Sequence, residues 1–228
     1  MSRSETLTRL RAALRGRMSP ELPEALPAFP RFEDPVAVFC ERLTVSGGIV
    51  LDSRSAGLEA CLSRVLTQAN TEVIFWEEKA TLDNHSIPYT IVNHSAFQNR
   101  DLVLSNHPNQ RITLPLLLTT REFTLNQVEG VEVSAGSAEV GIAETGTILF
   151  RSGRRRSRLL FALPPCRLTL LSAGSIVHNL CEATDSGLRV EESALLTWAT
   201  GPSRTADIEK RLVIGVHGPS TWFVILTD

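Results

Sequence analysis

The sequence has little excess charge and no long apolar run, and both absences limit what the protein can be. Its 23 Lys and Arg residues nearly balance 25 Asp and Glu residues, whereas a dedicated nucleic-acid binder normally carries a strong basic excess. The longest apolar stretch, residues 161–180, is interrupted by Pro164, Pro165 and Arg167, so no membrane span is expected. The first residues lack the apolar segment of a secretory signal. We therefore expect a cytoplasmic protein that does not bind nucleic acid.

Cysteines and histidines are scattered, and the familiar nucleotide-binding and hydrolase motifs are missing. The four cysteines include no C-x-x-C pair, which favours buried, reduced thiols over disulfides. The five histidines are too dispersed in sequence to predict a metal site. No G-x-G-x-x-G, P-loop, H-E-x-x-H or G-x-S-x-G motif occurs. The chain is expected to hold no metal or other cofactor of its own.

The first thirty residues differ in composition from the rest. Leucines at helical spacing among arginines predict a short amphipathic helix over residues 2–17. A linker follows that contains Pro20, Pro23, Pro27 and Pro30, and such a linker cannot be helical. We predict an N-terminal arm and linker over residues 1–30 and one domain over residues 31–228. The arm either docks on a partner or a second copy of the chain, or is a frayed, solvated end.

Predicted helices and strands alternate from residue 31 onward. Asp34-Pro35 marks a helix start, and residues 56–69 place their apolar side chains on one helical face. Further helices are expected from Ser175 and over residues 203–211. Apolar runs predict strands over residues 49–51, 72–76, 87–92, 102–104, 168–171, 195–199 and 221–226. Because these runs are apolar throughout, we predict a three-layer α/β fold with a mostly parallel sheet.

The first candidate site is a polar turn between two apolar strands in residues 140–150. Gly146 could adopt a positive φ and let a ligand approach the backbone closely, next to Thr147. Glu144 follows the first of these strands, where it could act as an acid, a base or a nucleophile. The alternative is a hairpin with an exposed glutamate at its tip.

The second candidate site begins at a Gly-Pro break, residues 201–202. Ser203 is a typical N-cap for a following helix. The Ser203 and Thr205 hydroxyls, the Arg204 guanidinium and free backbone N–H groups would then bind a carboxylate or phosphate at the helix start. Alternatively, Ser203 only caps the helix, and Arg204 pairs with Asp207.

Two further features are weaker candidates. His217 lies between glycines before the last predicted strand, and on its own it is more typical of a structural histidine. The most basic stretch could bind a nucleotide or coenzyme A, although a solvated loop fits the balanced charge better. Its arginines are Arg151, Arg154, Arg155, Arg156 and Arg158.

Three segments, residues 141–149, 201–209 and 212–219, closely resemble the LutC/YkgG family, the LUD domain of lactate-utilisation proteins. The resemblance is strong from about residue 130 to the end. It implies a fold similar to the NagB/RpiA/CoA-transferase group and a role in an iron–sulfur-dependent system that oxidises L-lactate to pyruvate. Since this chain has no cluster motif, the clusters are expected only in cysteine-rich partner subunits. Between the motifs, the arginine-rich stretch departs from the usual family pattern.

The resemblance and the motifs together predict a LutC-like subunit that binds a small carboxylate or phosphate anion. The residues expected to contact the anion are Gly146, Thr147, Ser203, Arg204, Thr205 and His217, and any catalysis would fall to Glu144 and Asp207 in the same cleft. The alternative is a free-standing CoA-transferase-like or phosphosugar-type enzyme with Glu144 as nucleophile or base, by analogy with E-x-G turns in some CoA-transferases. A third interpretation treats the motifs as packing signatures and the arm and arginine-rich stretch as docking sites. Whether the chain is an enzyme stays open.

Overall fold

The computed structural model describes residues 3–14, 28–71, 74–76, 89–91, 114–118, 131–152, 158–185, 195–206, 212–215 and 218–228. Its helices are α1 (Arg3–Leu14), α2 (Pro35–Val45), α3 (Ser53–Ala56), α4 (Leu58–Ala69), α5 (Arg158–Ala162) and α6 (Leu180–Asp185), and a 3-10 turn spans Ala173–Ser175. Its first seven strands are β1 (Ile49–Asp52), β2 (Ile74–Trp76), β3 (Tyr89–Ile91), β4 (Leu114–Leu118), β5 (Val133–Ser137), β6 (Val140–Ile142) and β7 (Thr147–Ser152). The others are β8 (Cys166–Ser172), β9 (Ile176–Val177), β10 (Leu195–Ala199), β11 (Arg204–Ala206), β12 (Leu212–Ile214) and β13 (Thr221–Thr227).

A seven-stranded sheet forms the centre of the molecule, in the order β1-β13-β8-β5-β2-β4-β3. All of its neighbouring strands are parallel. Phe223 of β13 pairs with Ile49 on one side and with Leu168 on the other. Buried residues run without interruption from the start of β8 to Leu171, as expected for a parallel sheet covered on both faces. The predicted α/β fold with a mostly parallel sheet is confirmed.

Helix α4 covers one face of this central sheet. It starts after Gly57, whose φ is +82°, and stops at Asn70, a residue in the left-handed conformation. Its buried residues Cys61, Leu62 and Val65 join the core on that face. The sheet side chains packed there include Leu51, Ile74, Trp76, Val133, Ala135, Leu168, Leu170, Phe223 and Ile225.

Helix α2 and a smaller sheet cover the other face. The Asp34 side chain caps α2 by accepting the Ala37 N–H at 2.9 Å, and Pro35 occupies the first turn. The small sheet has the order β10-β7-β6-β9, with β7 antiparallel to both of its neighbours and β6 parallel to β9. The core on this side contains Phe39, Leu43, Ala143, Ile148, Phe150, Leu171, Ile176, Trp222, Val224 and Leu226. The small sheet's outer face packs in turn against Ala183 of α6.

Two predicted helices are wrong. Residues 204–206 form strand β11, which pairs antiparallel with β12, although Ser203 and the residues after it favour a helix start. Residues 173–177 form a 3-10 turn and strand β9, and α6 begins only at Leu180. In both places, pairing between strands overrides a weak local helix preference.

Several other predictions have clear outcomes. Helix α1 lies within the predicted range of residues 2–17, and β10 and β13 coincide closely with the predicted strands. Strand β4 was not predicted. The predicted strand over residues 102–104 and most of the proline linker lie outside the described residues. None of the helices in the described part of the chain is both long and apolar enough to cross a membrane.

Candidate functional site

Both candidate motifs meet at the C-terminal end of α2. The β6–β7 turn, residues 143–146, and the segment between β10 and β11, residues 200–203, pack against residues 42–47. We call these three segments the turn cluster. It brings together parts of the chain that are far apart in sequence.

Glycine is needed at the two turns because backbone meets backbone there. Gly146 has a φ of +68°, as the sequence predicted, and an added Cβ would overlap the Leu43 backbone nitrogen and lie 2.8 Å from the Arg42 carbonyl carbon. Gly201 has a φ of +76°, and a Cβ there would overlap the Ser46 carbonyl oxygen. A side chain at either turn would therefore push it away from α2.

A chain of threonine hydroxyls links the two turns. Thr147 Oγ1 lies 2.6 Å from Thr145 Oγ1 and 2.6 Å from Thr200 Oγ1. Thr147 is buried, whereas Thr145 and Thr200 are exposed. Each hydroxyl can donate one hydrogen bond and accept others, so the chain can present either a donor or an acceptor at its solvent ends.

Arg204 binds the same helix end. Its Nη2 donates a hydrogen bond to the Ser46 carbonyl oxygen, at a C-terminus where the helix dipole favours a positive charge. Leu43, which contacts the Gly146 turn, precedes Ser46 by three residues, a helical rise of about 4.5 Å. The guanidinium and the Gly146 turn therefore both contact the last turn of α2. Arg204 is exposed, and a guanidinium has further N–H donors to offer a ligand.

Glu144 is half-buried, and the fully exposed residue of the turn is Thr145. The hairpin is as predicted, but the glutamate is not an exposed tip residue. Its backbone N–H donates to the His178 carbonyl oxygen at 3.0 Å, and Ala143 N–H donates to the Val177 carbonyl oxygen at 2.9 Å. These bonds anchor the turn on β9 and the residue that follows it. Within the described residues, the Glu144 carboxylate forms no hydrogen bond or ion pair.

Ser203 does not cap a helix, which corrects the predicted helix-terminus site. Its N–H donates to the Pro219 carbonyl oxygen, and its carbonyl oxygen accepts from the Gly215 N–H, both at 2.9 Å. An added Cβ at Gly218 would lie 2.8 Å from Ser203 Cβ. Ser203 therefore joins two loops. Because residues 204–206 form a strand, no helix dipole at Ser203 attracts an anion.

The other predicted site residues are not placed by the structure. The side chain of Thr205 and the whole of Asp207 and His217 lie outside the described residues. Whether they share a cleft with Glu144 stays a prediction. In the arginine-rich stretch, Arg151 Nη2 lies 3.9 Å from Glu139 Oε2, which is a long ion pair. Residues 153–157 are not described.

The sequence did not single out Thr145, Thr200 or Ser46 as site residues. A signal for the two threonines was present, because each directly precedes the glycine of a motif. Ser46 carried no signal, because its role comes from a carbonyl oxygen that any residue has. Gly47 also belongs to this contact, because a Cβ there would lie 2.7 Å from Arg204 Nη2.

Burial disfavours metal binding by three of the four thiols in this chain. All four cysteines are free; two are buried and two half-buried. Burial is the main cause that raises the pKa of Cys166 to about 12, and it also raises the pKa of Cys40 and of Cys61. A cysteine must lose its proton to ligate a metal. Among the described residues, no three His, Cys, Asp or Glu side chains are grouped for a metal ion.

The fold and the motifs define a LUD domain. The family model for the LUD domain matches residues 37–227, and the chain belongs to this family. The crystal structure of a DUF162 family protein from Deinococcus radiodurans has the same fold, with a TM-score of 0.56 and 17% sequence identity. The match covers 87% of this chain and 100% of that chain.

Curated relatives named Lactate utilization protein C are also similar to this chain. The protein from Bacillus subtilis (strain 168) is 30% identical over 115 residues, which are 47% of each chain. The protein from Geobacillus sp. (strain WCH70) is 27% identical over 134 residues, which are 56% of each chain. The protein from Anoxybacillus flavithermus is 29% identical over 105 residues, 46% of this chain and 48% of that protein. The chain thus spans about half the length of the curated relatives it matches.

Proposed function

We propose that this protein is a LutC-like subunit of an iron–sulfur-dependent system that oxidises L-lactate to pyruvate, and that it binds a small carboxylate or phosphate anion. One observation carries the proposal. Two of the three segments that resemble the LutC/YkgG family, although distant in sequence, meet in the turn cluster, where the end of α2 contacts both the Arg204 guanidinium and the turn that carries Thr145 and Thr147. The relatives named Lactate utilization protein C support the choice of lactate.

Arg204 and Thr145 would hold the anion. The planar guanidinium matches a carboxylate in geometry and can give it two parallel hydrogen bonds. Thr145 stands at an exposed end of the hydroxyl chain and can donate another. The Ser46 carbonyl keeps the guanidinium at the helix end. Part of the conformational entropy that the Arg204 side chain would lose on binding a ligand is therefore already lost in the free protein.

Glu144 would act on the bound ligand as a base. Its half-buried carboxylate can accept a proton from the hydroxyl of a 2-hydroxy acid. Oxidation of lactate to pyruvate also breaks the Cα–H bond and releases two electrons and a second proton, so it needs an acceptor for these. We assign the acceptor to cysteine-rich iron–sulfur partner subunits. The cysteines of this chain do not fit a cluster, because they lie on four separate elements, α2, α4, β8 and α6.

Growth tests the proposed function directly. Deletion of the gene should abolish growth on L-lactate and leave growth on pyruvate intact. Restoring the wild-type gene or an Arg64→Gln control, a change on the exposed side of α4, should recover growth, whereas Arg204→Gln should recover it poorly. Normal growth of the deletion strain on both carbon sources would contradict the proposal.

The half-buried Glu144 also supports the alternative of a CoA-transferase-like enzyme. In that case the carboxylate would be the nucleophile. The isolated protein would then bind coenzyme A, and Glu144→Gln would abolish turnover. Retained turnover in that variant would remove the nucleophile role. Tight binding of lactate by the isolated chain in calorimetry would contradict a purely interaction-based role.

A further inference from the structure

The residues that lead into α2 pack against the start of α6. We call residues 30–32 the entry segment. The Asn179 side-chain nitrogen donates to the Pro30 carbonyl oxygen at 3.2 Å, and Arg31 Nη2 lies 2.8 Å from Glu182 Oε1. The Phe32 ring stacks on the His178 ring, with centroids 6.2 Å apart. Three successive residues of the entry segment thus each have a partner at residues 178–182.

His178 accepts a backbone hydrogen bond through its ring. The Phe32 N–H donates to His178 Nδ1 at 2.9 Å. A backbone N–H is always a donor, so Nδ1 must carry a lone pair and the imidazole must be neutral. Protonation would place a hydrogen on Nδ1, so that two donors, Nδ1–H and the Phe32 N–H, would face each other. This bond is therefore compatible with only one charge state of His178.

The backbone of His178 reaches the candidate site. Its carbonyl oxygen accepts the Glu144 N–H at 3.0 Å, and its own N–H donates to Glu182 Oε2 at 3.0 Å. Glu182 also pairs with Arg31, and its N–H donates to the Asn179 side chain at 3.1 Å. One residue thus contacts the entry segment through its ring and the Glu144 turn through its backbone.

We propose that His178 is a positioning residue. As a neutral imidazole it holds the entry segment in place through the hydrogen bond from the Phe32 N–H, which we call the latch, and through its carbonyl oxygen it holds the Glu144 turn. Protonation releases the entry segment and loosens the turn. The inference rests on the proposed function only for the importance of Glu144. The hydrogen bonds themselves do not depend on any ligand.

The surroundings of His178 are acidic. The charged and titratable groups on the elements packed against it are Arg31, Glu33 and Asp34 in and after the entry segment, Glu144 in the turn, and Cys181, Glu182 and Asp185 on α6. A protonated ring carries a hydrogen on Nδ1 and can no longer accept the Phe32 N–H. The latched state therefore requires the neutral ring, and acid removes its acceptor.

Amide hydrogen exchange of the full-length chain, measured by NMR at about pH 8 and about pH 5, tests the latch. After correction for intrinsic exchange, protection of the Phe32 amide in the wild type should fall about fivefold to tenfold in acid, the effect of one lost hydrogen bond. Protection of the Glu144 amide should fall by a smaller factor. The Thr71 amide, which donates to the Leu66 carbonyl oxygen at the far end of α4, should not respond.

Two variants separate the latch from general stability. His178→Asn offers a side-chain oxygen as an acceptor that does not titrate, so it should keep both amides protected at both pH values. His178→Leu should lose the protection at both. If His178→Leu does not fold, the pH comparison between the wild type and His178→Asn still decides.

Unchanged Phe32 protection in acid would overturn the latch, and so would an equal loss in His178→Asn. A response at Phe32 without one at Glu144 would overturn the positioning role. Because exchange is measured without lactate, these outcomes are independent of the growth test.

Discussion

The central sheet and the turn cluster are held together by different interactions. In the sheet, parallel strands bury apolar side chains on both faces, and residues such as Leu168 and Phe223 are fully buried. In the turn cluster, glycines bring two turns against the end of α2, and hydroxyls and a guanidinium provide the remaining bonds. The stability of the central sheet depends on how much apolar surface is buried, whereas the stability of the turn cluster depends on the positions of individual atoms.

This difference predicts unequal tolerance to mutation. Apolar burial is non-directional, and volume-conserving swaps in a core usually cost less than about 1.5 kcal/mol. A turn that touches a helix backbone has no such freedom, because the helix cannot move a main-chain atom aside without losing its own hydrogen bonds. We therefore expect the turn cluster to be the more sensitive region, and the predictions below test this.

Gly146→Ala should have the largest effect. It combines a positive φ with overlap between the new methyl group and the Leu43 and Arg42 backbone. Left-handed strain and overpacking each cost about 1–3 kcal/mol, so we expect the free energy of unfolding to fall by about 3–5 kcal/mol. Urea unfolding of the purified variant measures the loss.

Gly57→Ala is the matched control for this change. Its φ of +82° is also positive, but no atom lies within 4 Å of the added Cβ. Only backbone strain remains, with an expected cost of about 1–3 kcal/mol. Equal losses in the two variants would show that contact with α2 contributes nothing, and the proposed contrast between the regions would then fail.

Thr147→Val should have an intermediate effect. The change keeps the shape of a buried side chain and removes the hydroxyl that lies between Thr145 and Thr200. Both neighbours are exposed and can turn to water, so we expect a loss of about 1–2 kcal/mol in the free energy of unfolding.

Thr67→Val provides the comparison for Thr147→Val. The exposed Thr67 hydroxyl bonds to the Ser63 carbonyl within α4, and its removal should change stability by less than about 0.5 kcal/mol. If both valine variants unfold at the same urea concentration, the hydroxyl chain does not stabilise the turn cluster.

The sequence predicted the central sheet better than the turn cluster. Continuous apolar runs predicted β1, β8 and β13. Burial on both faces follows from the same pattern in β8 and β13, whereas the edge strand β1 is mostly half-buried. Strand β4 was not predicted because Pro115 interrupts its apolar run, and proline is rarely found in an inner strand. Pairing with β2 and β3 places it inside the sheet nonetheless.

In the turn cluster, local sequence predicted conformation but not partners. Gly146 was expected to take a positive φ and does so. Ser203, however, is a residue type typical of a helix cap. A strand forms after it because β11 pairs with the apolar strand β12, a partner that the local sequence does not reveal. Contacts such as Arg204 to Ser46 depend on tertiary structure, because carbonyl oxygens carry no sequence signal.

The smallest effect is expected at the carboxyl end of β1, in the central sheet. Asp52 accepts hydrogen bonds from Arg54 Nε and Nη2 at 2.9 and 2.8 Å, and these bonds are the main reason that the pKa of Asp52 is lowered. Both side chains are more than a third exposed, so solvent screening keeps their contribution under about 1 kcal/mol.

The negative charge of Asp52 should stabilise the fold fully only above about pH 4. A lowered pKa means that the carboxylate stabilises the fold above the pKa of the unfolded state, about 3.9, and that this stability is lost as pH falls through the folded pKa. Asp52→Asn keeps an N-cap acceptor for α3 and removes the charge. Urea unfolding should show a small loss at neutral pH that shrinks below about pH 4. A loss that stays constant down to about pH 2 would assign the effect to the cap and not to the charge, and a loss as large as that of Thr147→Val would contradict the ranking of the two regions.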